Sequence, residues 1–198
     1  KITNIGEAQI ENFKNIHEIA KAKSEIIENI KSGGTVVLNK DDKFFNYFYK
    51  KAKKYNLKII TFGLHKKSDV SLKKILKKEN RSKIFVNMNN QTINFDIKDL
   101  NINNILSSLA VLKELKIDVF SIKNKFKYYE SIEGRGKNYS ISRYKKKFKL
   151  IDESYNANPL SVKNAINKFN FIKKEKFKKY LILGDMLELG SRSRKYHE

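Results

Sequence analysis

The apolar positions change period repeatedly along this chain, and the changes mark out alternating helices and strands. Lys1-Ile-Thr-Asn-Ile reads as the tail of a strand ending at Gly6. From Ile10 to Ile30, Phe13, Ile16, Ile19, Ala20, Ala22, Ile26, Ile27 and Ile30 recur at helical spacing and predict an amphipathic helix or a helix pair, ended by Lys31-Ser-Gly-Gly. Thr35-Val-Val-Leu is a short buried strand, Asn39-Lys-Asp-Asp a capping turn, Lys43–Tyr55 a helix and Leu57–Phe62 a further strand. Helical spacing is read again at Val70–Lys77. Lys83–Val86 and Thr92–Phe95 read as a hairpin turning at Asn89-Asn90. A long helix is predicted from Asp99 through Leu115, and a shorter one over Val119–Tyr129. Glu133-Gly-Arg-Gly is a loop, and a basic, extended stretch runs to Phe148. Lys179–Leu183 is a last strand. Such alternation predicts an α/β fold with a mostly parallel sheet and flanking helices. The basic segment Lys137–Lys149 separates two such patterns.

The densest candidate chemistry is Leu150–Pro159, Leu-Ile-Asp-Glu-Ser-Tyr-Asn-Ala-Asn-Pro. A strand end runs into two adjacent acids and closes on the only proline, which suits the first turn of the helix predicted after it. Asp152, Glu153, Ser154, Tyr155, Asn156 and Asn158 therefore sit on a strand-to-helix loop, where ligands of α/β sheets bind. Asn and Asp also favour turns and N-caps in their own right. Both readings stay open on this stretch alone.

Composition narrows the class. The 198 residues are 40% hydrophobic, enough for a core, and contain no cysteine, which rules out disulfides and thiolate metal sites. No apolar run reaches the length of a membrane span, and no signal peptide is present, which points to the cytoplasm. The first residue is lysine, and Tyr196-His197-Glu198 lies inside a helical pattern, so both ends read as cut from a longer chain. The net charge of +22 raises the possibility of a nucleic-acid partner. However, lysine greatly outnumbers arginine, and base reading leans on arginine forks. Lys, Asn and Ile abound together, as in an AT-rich genome, and no nucleic-acid partner is expected.

Other positions are ambiguous by spacing. Asn101 and Asn104 share one face of the first turn of the long helix, where amides can meet a nucleotide or simply cap the helix. Gly134-Arg135-Gly136-Lys137 fails the phosphate-loop pattern, because Ser131 stands where glycine is needed and Asn138 where a hydroxyl is needed. It leaves one arginine between two glycines, able to approach a phosphate or to sit in a surface turn. Lys23 lies on a charged helical face of the kind that is usually just solvated. His17, His65 and His197 show no ligand spacing.

Taken in order, Thr3-Asn-Ile-Gly-Glu-Ala-Gln-Ile-Glu, Ile19-Ala-Lys-Ala-Lys-Ser-Glu-Ile, Val37-Leu-Asn-Lys-Asp-Asp, Asn101-x-x-Asn104, Gly134-Arg135, Ile151-Asp-Glu-Ser-Tyr-Asn-Ala-Asn-Pro and Leu183-Gly-Asp-Met-Leu-Glu-Leu-Gly resemble the Mur ligases of peptidoglycan synthesis. The last two strings resemble the branch that adds D-alanyl-D-alanine to UDP-N-acetylmuramoyl-tripeptide. The family has an N-terminal domain for the UDP end, a central ATPase and a Rossmann-like C-terminal domain. The resemblance places residues 1–138 in the C-terminal part of the central ATP-binding domain and 139–198 in the N-terminal part of the last domain. The family's phosphate loop and its lysine are not in this sequence.

The resemblance implies a cytoplasmic, monomeric ligase using ATP and Mg²⁺, with no membrane insertion. The substrate carboxylate takes the γ-phosphoryl group to become an acyl phosphate, and the dipeptide amine displaces phosphate. It implies that Lys23 is carbamylated and helps hold Mg²⁺, an anionic oxygen ligand of the type that ion prefers. It implies that Asn101, Asn104 and Glu153 contact the nucleotide, that Arg135 meets its phosphates as a catalytic cation, and that Asn39 lies nearby. Gln9 stands where the family usually has a metal-site histidine and offers a weaker, neutral oxygen. Leu100 stands where the family has histidine before the first asparagine.

Overall fold

The structure is a computed structural model, and it describes residues 1–7, 10–77, 81–98, 101–128, 131–172 and 178–198. Its contacts divide the chain into two compact units: Lys1–Ile5 with Ala20–Glu130, and Gly6–Ile19 with Ser131–Glu198.

The first unit holds most of α1 (Ile16–Glu28), then β1 (Thr35–Asn39), α2 (Phe45–Lys54), β2 (Lys58–Gly63), β3 (Val70–Lys77), β4 (Ser82–Met88), β5 (Gln91–Ile97), α3 (Ile102–Glu114) and α4 (Val119–Ile122), with a 3-10 turn over Lys123–Tyr128. The strands form a five-stranded sheet in sequence order. The fold is α/β, as expected, but the sheet is mixed rather than mostly parallel. β1–β2 and β2–β3 pair in parallel, β3–β4 and β4–β5 antiparallel. The link from β2 to β3 can be short because the two strands overlap at only two pairs, Phe62↔Val70 and Gly63↔Ser71. The chain does not have to return along the full strand length, as a parallel crossover normally must.

Val70–Lys77, expected to be helical, is a strand. The register shifts between Leu72 and Lys74, so Lys73 is an extra residue in a β-bulge. Skipping Lys73 restores strict alternation of Val70, Leu72 and Ile75. Counting it produces the helix-like spacing. The hairpin of β4 and β5 is as expected. Asn89 (φ 53°) and Asn90 (φ 59°) form its two-residue turn, both in the left-handed region that asparagine tolerates.

Alternation then sets the layers. Val37, Ile60, Phe62, Val70, Ile84, Val86, Ile93, Phe95 and Ile97 form one core with Ile105, Leu106, Leu109 and Ala110 of α3. Val36 and Leu38 are buried on the other face, the side of α2, whose Phe48 and Ala52 are also buried. Glu114, in the last turn of α3, accepts from Thr35 Oγ1 and pairs with Lys58, the first residues of β1 and β2. Thus α3 runs antiparallel to those strands, and its N-terminus points toward their C-terminal ends. The helix expected from Asp99 is observed from Ile102, and Asp99, Leu100 and Tyr129 lie outside the described residues.

The second unit contains the hairpin of β6 (Lys137–Arg143) and β7 (Lys146–Asp152), α5 (Pro159–Asn170) and the short α6 (Ser193–His197). α5 opens as its sequence predicts. Pro159 sits in its first turn, Asn158 Oδ1 accepts from Ser161 N, and Ser161 Oγ accepts from Asn158 N. The strand expected at Lys179–Leu183 is not formed. A strand needs a ladder partner, and no described strand pairs with these residues. Lys179 Nζ instead donates to the carbonyls of Phe169 and Asn170 at the end of α5, where a cation also suits the helix dipole. No described helix is long and apolar enough to cross a membrane.

Candidate functional site

In the first unit, the residues singled out from sequence gather at one end. Asn39 is the last residue of β1, at the C-terminal edge where α/β sheets bind ligands. α3 brings Asn101 and Asn104 toward the same edge. α1 runs alongside α2 in the same direction, since Ser24 meets Tyr47 and Glu28 pairs with Lys51 one turn later. Lys23 therefore lies beside the first turn of α2, just past β1, and is exposed.

The amides at this edge are engaged to different degrees. Asn39 is buried (6% exposed); its Nδ2 donates to Thr3 O at 2.8 Å and its Oδ1 accepts from Asp41 N at 2.9 Å. Asn39 thus holds the N-terminal segment and the turn after β1. The two acids of that turn, Asp41 and Asp42, do similar work. Asp41 accepts from the N–H groups of Leu64 and His65, tying the β1 loop to the β2 loop. Asp42 accepts from Ile5 N and Phe44 N, each at 2.8 Å. Asn101 is the N-cap of α3, its Oδ1 accepting from Asn104 N at 3.3 Å. Asn101 and Asn104 are both exposed at the positive end of the helix.

In the second unit, the structure joins two loops whose bonded residues lie 16 to 21 positions apart in the sequence, and Asp152 is the tie. Its Oδ2 accepts from Gly134 N at 3.0 Å and its Oδ1 from Ser154 N at 3.0 Å. Its carbonyl accepts from Gly136 N at 2.7 Å, and Tyr155 N donates to Gly134 O at 3.0 Å. Hydrogen bonding from Ser154 is the main reason the Asp152 carboxyl lies below the ordinary aspartate range; the Gly134 N–H and the Lys137 charge add to it, against the effect of desolvation.

Gly134 has φ 72°, and a Cβ there would stand 2.7–3.0 Å from the Cβ, N and Cα of Tyr155. Only glycine fits so close a backbone approach. The turn holds Arg135 with its guanidinium 4.2 Å from the centre of the Tyr155 ring. Glu153 lies against the same turn, its Oε1 3.1 Å from where a Gly136 Cβ would be. Glu153 thus meets the residue next to Arg135, and the two loops that carry these side chains are joined. Tyr155 as the arginine's partner was missed from sequence. The Gly-Arg-Gly and Asp-Glu-Ser-Tyr strings are each visible in the sequence, but their pairing is not.

No group of three His, Cys, Asp or Glu able to hold a metal gathers among the described residues, and Gln9 lies outside them. The described residues do not by themselves assemble a magnesium site.

Comparison with known proteins gives a consistent result. Residues 1–112 match the Mur ligase middle domain family. The UDP-N-acetylmuramoyl-tripeptide–D-alanyl-D-alanine ligase of Rickettsia prowazekii is 31% identical over 206 residues, covering all of this chain and 43% of that protein. The enzyme of the same name from Buchnera aphidicola subsp. Baizongia pistaciae is 28% identical over 200 residues, covering all of this chain and 42% of that protein. Among solved structures, MurF from Acinetobacter baumannii superposes with a TM-score of 0.84 at 25% identity, over 99% of this chain and 42% of that one. MurF from Thermotoga maritima, solved in complex with ADP, gives 0.76 at 25% identity, over 98% of this chain and 43% of that one. The chain therefore spans less than half the length of the relatives it matches. With the family match covering more than half its residues, the chain belongs to the Mur ligase family, through the middle domain.

Proposed function

We propose that this chain is part of an ATP-dependent ligase of the MurF type, which joins D-alanyl-D-alanine to UDP-N-acetylmuramoyl-tripeptide as a cytoplasmic monomer. The observation that carries this reading is similarity over the whole chain to ligases of that name, including the Asp152–Pro159 loop that holds the Arg135 turn. In the domain reading, residues 1–138 complete a central ATP-binding domain and 139–198 begin the last one.

A carboxylate is a poor electrophile, so its oxygen attacks the γ-phosphorus of ATP, the β–γ bridge breaks, and ADP leaves. The dipeptide amine then attacks the acyl carbon, loses a proton, and expels phosphate. Asn101 Nδ2 and the Asn104 amide are the proposed nucleotide contacts in the first unit, with Asn39 supporting the edge on which they stand. Arg135 offers five fixed N–H donors on a permanent cation, the arrangement that suits the spread charge of a transferring phosphoryl group. Glu153 is the proposed acidic nucleotide contact beside it. Lys23, exposed on α1, is the proposed carbamylation site; carbamylation converts its cation into an oxygen donor of the class magnesium takes.

The test is phosphate release by the full-length protein. Release should require ATP, UDP-N-acetylmuramoyl-tripeptide and D-alanyl-D-alanine together, and the 198-residue chain alone should not turn over. Release with L-alanine and UDP-N-acetylmuramate instead would overturn the assignment in favour of another ligase of the family. For Lys23, intact-mass measurement in bicarbonate should show a labile CO₂ adduct that Lys23→Arg abolishes.

A further inference from the structure

We propose that Tyr155 and Asp152 are positioning residues, which hold the Arg135 guanidinium ready for a phosphate group before any nucleotide arrives. This rests on the reading above that Arg135 meets the nucleotide.

The backbone of Arg135 is pinned on both sides through Asp152. Gly134 N donates to the Asp152 carboxylate, and Gly136 N to the Asp152 carbonyl. The same carboxylate also holds Ser154 N, so one side chain fixes the arginine turn and the loop that carries Tyr155. Tyr155 N closes the circuit on Gly134 O. The side chain is then fixed by the ring, 4.2 Å from the guanidinium carbon.

Stacking restrains a guanidinium without using its hydrogen-bonding capacity. The guanidinium carbon lies over the ring, and a contact with the ring face spends none of the five N–H donors, which stay available to an oxyanion. Among the described residues, no carboxylate forms an ion pair with Arg135. Its charge is therefore oriented but not neutralised. An ion pair in place of the ring would have to be broken before phosphate could bind. The exposed position of Tyr155 fits a role at a ligand surface rather than in a core.

The experiment uses the full-length protein and measures Kd for a non-hydrolysable ATP analogue, together with kcat and KM for ATP and for D-alanyl-D-alanine. Tyr155→Leu, which removes the ring face, should raise Kd and the KM for ATP about three- to fivefold and leave the KM for the dipeptide unchanged. Tyr155→Phe keeps the face and should restore both constants to within about twofold. Asp152→Asn replaces an accepting oxygen with a donor opposite an N–H and should shift the same constants in the same direction.

The double variant Arg135→Ala/Tyr155→Leu should be no weaker than Arg135→Ala, because the ring acts only through the arginine. A double variant clearly weaker than Arg135→Ala would show the ring touching the nucleotide itself and overturn the proposal. So would a Tyr155→Phe protein as impaired as Tyr155→Leu. If Arg135→Ala binds the analogue poorly but Tyr155→Leu binds it normally, the positioning role fails while the reading of Arg135 stands. If Arg135→Ala binds normally, both fail.

Discussion

Thr61 and Asp69 bind one another reciprocally across the turn from β2 to β3. Asp69 Oδ2 accepts from Thr61 N at 2.8 Å and from Thr61 Oγ1 at 2.6 Å, while Asp69 N donates to Thr61 Oγ1 at 2.9 Å. The pair closes the short link that lets β3 emerge in parallel beside the end of β2. Thr61 is buried, at 7% exposure, so its N–H has no easy substitute acceptor. Asp69→Ala should cost about 1–3 kcal/mol in urea denaturation, the range for stranding a buried donor.

The same carboxylate gives stability a pH dependence of definite sign. Burial alone would raise the Asp69 carboxyl, but the Thr61 hydrogen bonds and the Lys113 charge outweigh it and leave the group below its ordinary value. An acid depressed in the folded state stabilises above its unfolded value and loses that contribution as pH falls through the folded value. The stability gap between the unaltered protein and Asp69→Asn should therefore be full above about pH 5 and shrink as the solution is acidified below the ordinary aspartate range. A gap that widened in acid would contradict the assignment.

Leu109 is fully buried on α3, in the core shared by all five strands of the sheet. Leu109→Ala should destabilise the first unit by about 2–5 kcal/mol, as measured by chemical denaturation. Exposed Leu115→Ala, just past the end of the same helix, should have almost no effect.

The Asn89-Asn90 turn needs left-handed backbone at both residues. Asn90→Gly should stabilise by up to about 1 kcal/mol, and Asn90→Val should cost about 1–2 kcal/mol. Thermal melting of the two variants on either side of the unaltered protein checks the sign.

Gly134→Ala would force a side chain into the Tyr155 backbone at a φ of 72°. We expect a local penalty of order 1–3 kcal/mol. Hydrogen exchange should quicken at Gly136 and Tyr155, whose N–H groups close this circuit, while the β4–β5 amides stay protected.

Much of this architecture was legible in the sequence because local rules and tertiary packing agree. Pro159 and Asn158 announce a helix start, and Asn89-Asn90 between alternating strands announces a hairpin. The period fails where packing inserts something local. Lys73 adds a residue to β3, and one extra position is enough to turn a strand pattern into a helical one. The candidate site was legible as strings but not as a circuit. Nothing local to Arg135 says that a ring 20 positions later will lie beneath it, and nothing local to Asn39 says that its amide will be engaged by Thr3.

Tyr180-Leu-Ile-Leu stands open to water, with Ile182 at 91% exposure, immediately after two lysines. Short, uncharged apolar runs with unpaired backbone are templates for intermolecular β-pairing, and flanking charges only slow it. A preparation of this chain by itself should self-associate as its concentration rises. A single charge at Ile182 should keep it dispersed.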